Sequence, residues 1–449
     1  MYDTTVASGF QRLLERIRSK EVLIGVIGLG YVGLPLSLAY AEAGVRVLGF
    51  DIDHEKARML LAGESYLKHI GSERVSQTIA ADLFDATADE GRLREPDALL
   101  VCVPTPLTRH QEPDLKFVEA TAEAIARQLR PGQLVVLEST TYPGTTDEIV
   151  RPILERTGLK AGRDFWLGYS PEREDPGNLD FSTSRIPKVV GADDPESRDL
   201  VVELYRLFAP TVVQVSTAAT AEAVKITENI FRSVNIALVN ELKCVYAAMG
   251  IDIWEVIDAA KTKPFGFMPF YPGPGLGGHC IPIDPFYLTW KAREFDMHTR
   301  FIELAGQINS SMPERVIDML AKAVDQRFSK GLNGSLILVM GLAYKKNVDD
   351  IRESPSLRLI ELLEKRGATV EFYDPLVPMI PSTREHAALA GRKSIPWDLN
   401  TLASFDAVLI ATDHDVVDYR ALASAARLVV DTRNACARAG IKGDNVVLA

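Results

Sequence analysis

The feature that most constrains the fold lies near the start of the chain, where an apolar run leads into a glycine-rich turn. Residues 21–27 (EVLIGVI) predict a buried strand, and the GxGxxG motif Gly28–Gly33 follows it directly. Residues 34–41 predict a helix, and residues 45–50 predict a second strand that ends at Asp51. This combination of strand, glycine turn, helix, strand and acid is typical of a dinucleotide-binding βαβ unit. The alternative is a glycine turn in some other α/β unit.

Each glycine of this motif has a steric role in binding a dinucleotide. Gly28 makes the tight turn, Gly30 lets the backbone approach the pyrophosphate, and Gly33 lets the helix pack on the strand. The N-terminus of the helix then faces the phosphates. Asp51 would accept hydrogen bonds from the adenine-ribose hydroxyls and repel a 2′-phosphate, so NAD is predicted rather than NADP. Asp53 is a competing acid further from the strand end. The predicted cofactor contacts here are Gly28, Gly30, Tyr31, Val32, Gly33 and Asp51.

An amphipathic helix is predicted at residues 9–20, before the first strand. After the βαβ unit, the alternation of strands and helices continues to residue 215. Further strands are predicted at residues 97–103, 134–138, 165–169, 188–191 and 212–215, and helices at residues 114–130 and 145–157. Ligands in such sheets bind beyond the carboxyl ends of the strands. This position makes Thr105, Ser139, Thr140 and Glu172 candidate site residues. For each of them, a solvated loop position is the alternative.

A long helix is predicted where these strands stop. Between Thr217 and Gly250 the chain has no proline, and glycine occurs only at the last position. Lys225 and Asn229 lie four residues apart, so they project from one face of this helix. A helical lysine is usually a solvated charge, but the apolar neighbours of Lys225 suggest partial burial, which suits a lysine beside a developing oxyanion. Further helices are predicted at residues 252–261, 284–295 and 301–326.

A loop at residues 273–285 (GPGLGGHCIPIDP) interrupts these helices. Its four glycines and three prolines cannot continue a helix or a central strand. The loop carries the thiol of Cys280 and ends at the carboxylate of Asp284. A thiol on a glycine-rich loop is a candidate nucleophile, and a small buried apolar residue is the alternative.

The last third of the chain predicts a second α/β sheet, with strands at residues 335–340, 369–373, 407–411 and 427–430 and a helix at residues 356–366. This sheet has no GxGxxG motif, and its first turn carries Lys345, Lys346 and Arg352 instead. These cations suit either a bound diphosphate or a charged surface loop.

The predicted fold class is therefore α/β, with two Rossmann-like doubly wound sheet domains joined by a central helical domain that contains one long helix. The N-terminal sheet domain is predicted at residues 1–215 and binds the dinucleotide. The central helical domain is predicted at residues 216–327 and carries the Cys280 loop. The C-terminal sheet domain is predicted at residues 328–449.

The composition argues against several kinds of partner. The formal net charge is −11, so the chain has no global basic field for nucleic acid or an anionic membrane. Its apolar runs are far shorter than a membrane helix, and its N-terminus has no signal-peptide pattern. The four cysteines are widely spaced, which is typical of free thiols and not of disulfides or a zinc site. We expect a cytoplasmic protein with no metal and with no nucleic-acid or membrane partner.

Across nearly its whole length the chain resembles the nucleotide-sugar 6-dehydrogenases, the UDP-glucose/GDP-mannose dehydrogenase family. The matching pieces are Gly28–Gly33, Ser139-Thr140 with Pro143-Gly144, Ser170-Pro171-Glu172, Lys225 with Asn229, Gly277-Gly278-His279-Cys280 with Asp284, and Lys345 with Arg352-Glu353-Ser354. Within the family, residues 170–177 (SPEREDPG) and 270–275 (FYPGPG) are most similar to bacterial UDP-N-acetylglucosamine 6-dehydrogenases.

The resemblance implies a four-electron oxidation of a sugar C6 alcohol to a carboxylate in two steps, each using one NAD. Addition of the Cys280 thiolate to the intermediate aldehyde would give a thiohemiacetal, whose oxidation gives a thioester that water hydrolyses. Lys225 and Asn229 would stabilise the alkoxide-like oxygen in each step. A cation near Cys280 would favour its thiolate. Either Asp284 or Glu172 would activate water, and the sequence leaves that choice open.

The same resemblance implies the substrate contacts. Lys345 and Arg352 would meet the diphosphate, and in family members the latter role often crosses a dimer interface. The aromatic run and the glycine loop would hold the uridine and the sugar. The implied substrate contacts are Glu172, Lys225, Asn229, Phe270, Tyr271, Gly275, Gly277, Lys345 and Arg352.

The expected substrate is UDP-N-acetylglucosamine, and the expected assembly is a homodimer or a higher homo-oligomer. UDP-glucose, UDP-N-acetylmannosamine and a GDP-sugar are alternatives. A catalytically silent nucleotide-sugar binder is an alternative of another class, and the intact catalytic set argues against it. A two-domain 3-hydroxyacid-type dehydrogenase would share the first domain and the helical middle but would not require Cys280 or the C-terminal sheet.

Overall fold

The computed structural model describes residues 4–67, 70–108, 110, 112–173, 186–278, 280–383 and 385–449, with side chains from residue 9 onward. The chain forms two compact units. The first contains residues 1–228 and 286–297, and the second contains residues 229–285 and 298–449. These units and the three predicted domains are different descriptions of the chain, and the predicted boundaries after residues 215 and 327 stay a prediction.

In the described part of the first unit, eight strands form one sheet. They are β1 (Leu23–Ile27), β2 (Arg46–Phe50), β3 (Phe84–Thr87), β4 (Ala98–Val101), β5 (Leu134–Leu137), β6 (Trp166–Tyr169), β7 (Lys188–Gly191) and β8 (Val212–Val215). Their order is β3-β2-β1-β4-β5-β6-β7-β8, and β6 pairs with β7 in the antiparallel direction while the other neighbours are parallel. The carboxyl ends of β1, β2, β4, β5 and β6 therefore share one edge of the sheet.

Helices cover both faces of this sheet, as the sequence pattern requires. They are α1 (Thr4–Arg18), α2 (Gly33–Glu42), α3 (His54–Leu61), α4 (Ser72–Ala80), α5 (Lys116–Gln128), α6 (Arg151–Glu155) and α7 (Pro195–Arg206). Strand β5 shows the layering, because Leu134 and Val136 pack in one apolar layer and Val135 and Leu137 in the other. A parallel strand that is buried on both faces is apolar at every position, which is why it could be read from the sequence.

The second unit contains a five-stranded parallel sheet within its described residues. Its strands are β9 (Leu336–Met340), β10 (Thr369–Tyr373), β11 (Ala407–Ile410), β12 (Val429–Asp431) and β13 (Val446–Leu448), in the order β10-β9-β11-β12-β13. The helices after α7 are α8 (Ala218–Ala248), α9 (Ile253–Ala260), α10 (Asp284–Ala292), α11 (Arg300–Phe328), α12 (Pro355–Lys365), α13 (Leu399–Ser404), α14 (Tyr419–Ala425) and α15 (Ala435–Arg438). None of the described helices has the length and apolarity needed to cross a membrane.

The predicted fold class is confirmed, including the long helix α8 of 31 residues. One predicted helix, at residues 145–157, is wrong in detail, because a π-helical segment at Thr146–Val150 precedes a short α6. Pro152 in the first turn of α6 has no backbone N–H to donate, so the ladder of regular helical hydrogen bonds cannot pass through it. The predicted helix at residues 284–295 likewise ends as α10 and continues as a 3₁₀ turn at Arg293–Phe295.

Candidate active site

The glycine turn after β1 has the shape that a dinucleotide needs. Gly28 has φ +91°, and a Cβ on Gly33 would lie 1.9 Å from the carbonyl oxygen of Gly28, so a side chain at Gly33 is sterically excluded. A Cβ on Gly30 would have no neighbour within 4 Å, so the backbone there is open to a ligand. The turn therefore fits NAD, with its phosphates against the backbone at the start of α2.

Asp51 lies at the carboxyl end of β2, as predicted. Its Oδ2 accepts hydrogen bonds from the backbone N–H of Leu29 at 3.0 Å and from Nζ of Lys56 at 3.1 Å. Lys56 was not predicted, and its charge partly offsets that of Asp51. The competing acid, Asp53, has a structural role, because its side chain accepts from the backbone N–H of Glu55 and caps α3.

Thr105, Ser139 and Thr140 lie together at the ends of β4 and β5. Oγ1 of Thr105 donates to the carbonyl oxygen of Thr140 at 2.7 Å, and Oγ of Ser139 donates to the carbonyl oxygen of Val103 at 2.7 Å. The hydroxyl of the buried Tyr287 donates to the carbonyl oxygen of Thr105. These bonds tie two loops into one wall of the predicted cofactor site, and direct contact of the three residues with NAD stays a prediction.

Glu222 fixes the turn that follows this wall, and sequence reasoning missed it. Its carboxylate accepts from the backbone N–H groups of Gly144 at 2.5 Å and Thr146 at 2.9 Å, and from Oγ1 of Thr146 at 2.7 Å. Burial raises the pKa of Glu222 to about 7. Because Glu222 lies three residues before Lys225 on α8, it joins that helix to the turn after Ser139-Thr140.

Lys225 is buried, with 7% of its surface exposed, and it has no hydrogen-bond or ion-pair partner among the residues that the structure describes. A lysine that is mostly buried differs from the usual solvated surface charge. The functional role of Lys225 stays a prediction.

Glu172 follows β6 at the same edge of the sheet and is also buried. Its Oε2 accepts from Nζ of Lys188 at 2.5 Å, and its Oε1 accepts from the backbone N–H of Arg173 at 2.7 Å. The carboxylate is thus held by a buried cation that the sequence did not single out. Residues 174–177, which belong to the predicted exit loop, lie outside the described residues.

Asn229 and Asp284 form a buried pair in the second unit, and their catalytic roles stay predictions. Nδ2 of Asn229 donates to Oδ2 of Asp284 at 2.6 Å. Arg232, one turn further along α8, donates to Oδ1 of Asn229 and so orients its amide. Arg232 was not predicted, although its spacing of three residues from Asn229 is the signal that places both on one face.

Cys280 is partly exposed and lies in the turn that leads into α10. The backbone N–H groups of Ile283 and Asp284 donate to its carbonyl oxygen at 3.1 and 2.8 Å. The thiol is therefore one tight turn away from the Asn229–Asp284 pair. The alternative of a small buried apolar residue does not describe this cysteine. His279 lies outside the described residues.

The glycine loop packs on the loop that carries the predicted diphosphate contacts. A Cβ on Gly277 would lie 2.7 Å from Cβ of Tyr344, and a Cβ on Gly278 would lie 2.9 Å from the ring of Tyr344. Gly278 has φ +83°, and its N–H donates to the carbonyl oxygen of Arg352 at 3.1 Å. The structure thus brings together the Cys280 loop and residues 344–352, which are far apart in sequence.

Lys345 and Arg352 both lie on this loop, and Arg352 donates to Asp350, with Nη2 at 2.6 Å from Oδ2. The loop is anchored by the buried His414. Nδ1 of His414 accepts from the backbone N–H of Asn347 at 3.0 Å, and Nε2 is 3.1 Å from Oδ2 of Asp374. Burial opposes the charge of Asp374, but hydrogen bonds from His414 and the backbone outweigh it and lower the pKa of Asp374.

The remaining predicted substrate contacts lie near the start of the glycine loop. The ring of Phe270 packs edge-on against Phe231 at 5.7 Å, and Tyr271 stacks on Trp254 at 5.5 Å. Gly275 has φ +143° and would meet Cβ of Pro355 at 3.1 Å if it carried a Cβ.

One half-buried cation near these residues was missed by sequence reasoning. A Cβ on Gly273 would lie 2.6 Å from Nη1 of Arg433, whose Nε donates to the carbonyl oxygen of Ala411 at 2.9 Å. Arg433 follows β12, and its position at the end of a strand is the signal that sequence reasoning did not use.

Comparison with known proteins identifies the family. The NAD binding domain of the UDP-glucose/GDP-mannose dehydrogenase family matches residues 22–209, its central domain matches residues 219–311, and its UDP binding domain matches residues 338–438. A UDP-N-acetyl-D-glucosamine 6-dehydrogenase of Pseudomonas aeruginosa is 35% identical over 397 residues, covering 88% of this chain and 91% of the relative. A UDP-N-acetyl-D-mannosamine dehydrogenase of Pyrococcus horikoshii is 32% identical, covering 92% of this chain and 95% of the relative.

Solved structures agree with this result. The structure of the UDP-D-ManNAc dehydrogenase from Pyrococcus horikoshii matches with a TM-score of 0.84 and 31% identity, covering 95% of this chain and 98% of that chain. A UDP-glucose dehydrogenase from Pyrobaculum islandicum matches with a TM-score of 0.80 and 28% identity, covering 91% and 94%. The predictions of the family, the cofactor and the class of enzyme are confirmed. The chain belongs to the UDP-glucose/GDP-mannose dehydrogenase family and is an NAD-dependent oxidoreductase.

Proposed function

We propose that this enzyme oxidises the C6 alcohol of UDP-N-acetylglucosamine to the carboxylate, through a thioester on Cys280. The observation that carries the proposal is the turn that links Cys280 to the buried pair of Asp284 and Asn229. A partly exposed thiol in the turn that precedes a carboxylate held by an amide is suited to covalent catalysis. When bound, NAD accepts a hydride from C6 in each of the two oxidations.

The chain's own residues account for the other steps. Sγ of Cys280 adds to the aldehyde carbon that the first oxidation leaves, and the resulting thiohemiacetal carries a hydrogen that can leave as hydride. Water then attacks the thioester carbon, the C–S bond breaks, and the thiol is regenerated. In total the sugar gains one oxygen from water and loses four electrons, and three protons are released.

Lys225 and Asn229 would stabilise the oxygen on C6 whenever it carries negative charge. The absence of a partner for Lys225 within the described residues supports this role, because the substrate oxygen would then be its acceptor. Asn229 has one Nδ2–H engaged by Asp284, which leaves the second N–H for the substrate. Glu172 and Asp284 are the two carboxylates that can activate water.

The sugar assignment rests on relatives and on two short segments. The relative that is 35% identical is named for UDP-N-acetyl-D-glucosamine, and other relatives at 32–34% identity are named for UDP-N-acetyl-D-mannosamine. Residues 170–177 and 270–275 favour the first of these. The four cysteines, free in the structure, support a reducing cytoplasm as the location of the reaction.

The number of NADH formed per sugar tests this function. With UDP-N-acetylglucosamine and excess NAD, we expect about two NADH for each sugar consumed, because the aldehyde is held and oxidised again. The measurement is absorbance at 340 nm against product quantified by chromatography. UDP-glucose, UDP-N-acetylmannosamine and GDP-mannose are the comparison substrates. One NADH per sugar would contradict a covalent intermediate on Cys280. No NADH with any of the four nucleotide sugars would indicate a catalytically silent nucleotide-sugar binder.

We further propose that the enzyme is a homodimer whose subunits meet along α8. Three apolar side chains on this helix are exposed in the single chain, Phe231 at 48%, Leu238 at 52% and Val245 at 47%, and Met249, directly after the helix, is exposed at 63%. The first three recur every seven residues, so they form one stripe on the helix surface. A stripe of this kind is typical of a helix that packs against a second copy of itself.

A charge in this stripe is expected to separate the subunits. Leu238→Asp should shift the mass measured by light scattering from a dimer toward a monomer, because two buried carboxylates would then face each other across the interface. The matched control is Lys322→Glu, an exposed position on α11, which should leave the mass unchanged. A wild-type protein that is monomeric at micromolar concentration would contradict the proposal.

A further inference from the structure

Glu172 belongs to a cluster of three buried ionisable side chains. Lys188 is the first residue of β7, Glu138 directly follows β5, and Glu172 lies three residues after β6. Their exposed fractions are 2%, 1% and 8%. Nζ of Lys188 is 2.5 Å from Oε2 of Glu172 and 3.5 Å from Oε2 of Glu138. One ammonium thus lies between two carboxylates.

The cluster extends to the helix face of the sheet. The hydroxyl of Tyr205, on α7, donates to Oε1 of Glu138, and Nζ of Lys188 lies 5.5 Å from the centroid of the Tyr205 ring. Burial raises the pKa of Glu138 to about 7, with Lys188 opposing the shift and Glu172 adding to it. Burial also opposes the charge of Lys188, but Glu138 and Glu172 outweigh it and raise the pKa of Lys188.

A buried group of this kind is expensive to maintain and contributes little net stability, since apolar residues of similar size would pack as well. The arrangement of its side chains is instead suited to fix the charge and the direction of the Glu172 carboxylate. Glu172 is the member nearest the carboxyl edge of the sheet, where ligands bind. A cation at 2.5 Å favours the ionised form of Glu172 and fixes its direction.

We propose that Lys188 is a positioning residue that holds the Glu172 carboxylate ionised and oriented to activate the water that hydrolyses the Cys280 thioester, with Glu138 and Tyr205 fixing Lys188 in turn. The proposal deepens the proposed function and rests on it.

The other described groups beside the cluster do not supply the positive charge that Lys188 gives to Glu172. The thiol of Cys102 and the hydroxyl of Tyr40 are buried beside Glu138, and burial raises the pKa of each, so both stay neutral. The side chain of Arg173 is engaged elsewhere, since its Nη2 donates to Oε1 of Glu228 at 2.6 Å and its Nη1 to the carbonyl oxygen of Pro187 at 2.8 Å.

Two substitutions should move the pH dependence of thioester hydrolysis in opposite directions. Lys188→Met removes the cation, so Glu172 should protonate more easily and the acid limb should move up by about 1–3 pH units. Glu138→Gln removes a carboxylate that repels the charge of Glu172 and keeps the Lys188–Glu172 pair. The acid limb of the pH profile should therefore move to lower pH. Lys188→Arg keeps the charge and should recover most of the wild-type rate.

The measurement is the decay of the covalent adduct, followed by quenched-flow and intact-protein mass spectrometry between pH 5 and 9. Below the shifted limb, Lys188→Met should accumulate adduct that wild type does not, and the same variant in a Cys280→Ala background should show none. Melting temperature and the Kd for NAD report whether each variant is folded, and Glu138→Gln provides the test if Lys188→Met does not fold.

The outcomes separate this proposal from the function on which it rests. If the wild type forms product and the limb is at the same pH in Lys188→Met and Glu138→Gln, the role of Lys188 is wrong. If the rate of thioester hydrolysis in Lys188→Met falls by the same factor at every pH, the role of Lys188 is also wrong, because such a loss indicates a structural defect. If the wild type forms no NADH with any nucleotide sugar, the proposed function itself is overturned.

Discussion

Replacing Cys280 by alanine is expected to lower steady-state NADH formation by on the order of 10⁴-fold or more, as removal of a catalytic nucleophile does in other enzymes. Without Cys280, no thiolate would add to the aldehyde carbon left by the first oxidation. The remaining hydrogen on C6 could then not leave as hydride. We expect at most one NADH per active site before the reaction stalls. The measurement combines a rapid-mixing NADH burst with the steady-state rate, at saturating sugar and NAD.

The chain provides a matched control for this experiment. Cys244 is another partly exposed thiol, on α8, and it has no predicted role. Cys244→Ala should change kcat by less than about 2-fold, and both variants should bind NAD as the wild type does. Cys280→Ser should form an ester that hydrolyses slowly, so a covalent adduct should appear in its intact mass. Full activity in Cys280→Ala would show that the nucleophile lies elsewhere.

Local sterics explain why the cofactor turn could be read from the sequence. The contact between Gly33 and Gly28 involves residues five positions apart, and it permits no side chain at Gly33. Asp51 could be assigned because it directly follows the apolar strand β2. Such features depend on neighbours in the chain, so they can be predicted without knowledge of the rest of the fold.

Short and capped elements were harder to predict. Strand β3 (Phe84–Thr87) lies at the edge of the sheet and alternates buried with half-buried residues over only four positions, which is too short for a clear pattern. Helix α7 has a readable start, because Asp194 accepts from the backbone N–H of Ser197 and Pro195 occupies the first turn. That signal was present in the sequence and was not used.

The supporting residues of the site could not be predicted, because their contacts join distant parts of the chain. Lys188 reaches Glu138 across 50 positions, and Tyr287 reaches Thr105 across 182. The apolar strand around Lys188 gives no sign that its first residue is a buried cation between two acids. Sequence therefore nominates candidate reacting groups, and the fold determines which side chains hold them.

Replacing Lys225 by methionine is expected to lower kcat by about 10²–10³-fold with little change in the KM for the sugar, because its proposed role is to stabilise charge that develops only during the reaction. The same variant should keep a melting temperature close to that of the wild type, because Lys225 makes no hydrogen bond or ion pair with the described residues that the substitution would break. The measurements are steady-state kinetics and calorimetry on both proteins without ligands.

Lys243 is the matched control, since it is a second buried lysine on α8 that lies about 27 Å from Lys225 at 1.5 Å per residue. Unlike Lys225, it has a partner in the chain, because Nζ donates to the backbone oxygen of Ala449. Burial lowers the pKa of Lys243 to about 8, so its charge is not a source of net stability. Because Lys243 lies far along α8 from Lys225, Lys243→Met should leave kcat within a few-fold. Equal losses of kcat in the two variants would indicate a general disturbance of the helix. A loss confined to KM in Lys225→Met would make Lys225 a binding residue. Only a loss of kcat without a loss of stability fits an ammonium kept for the reaction.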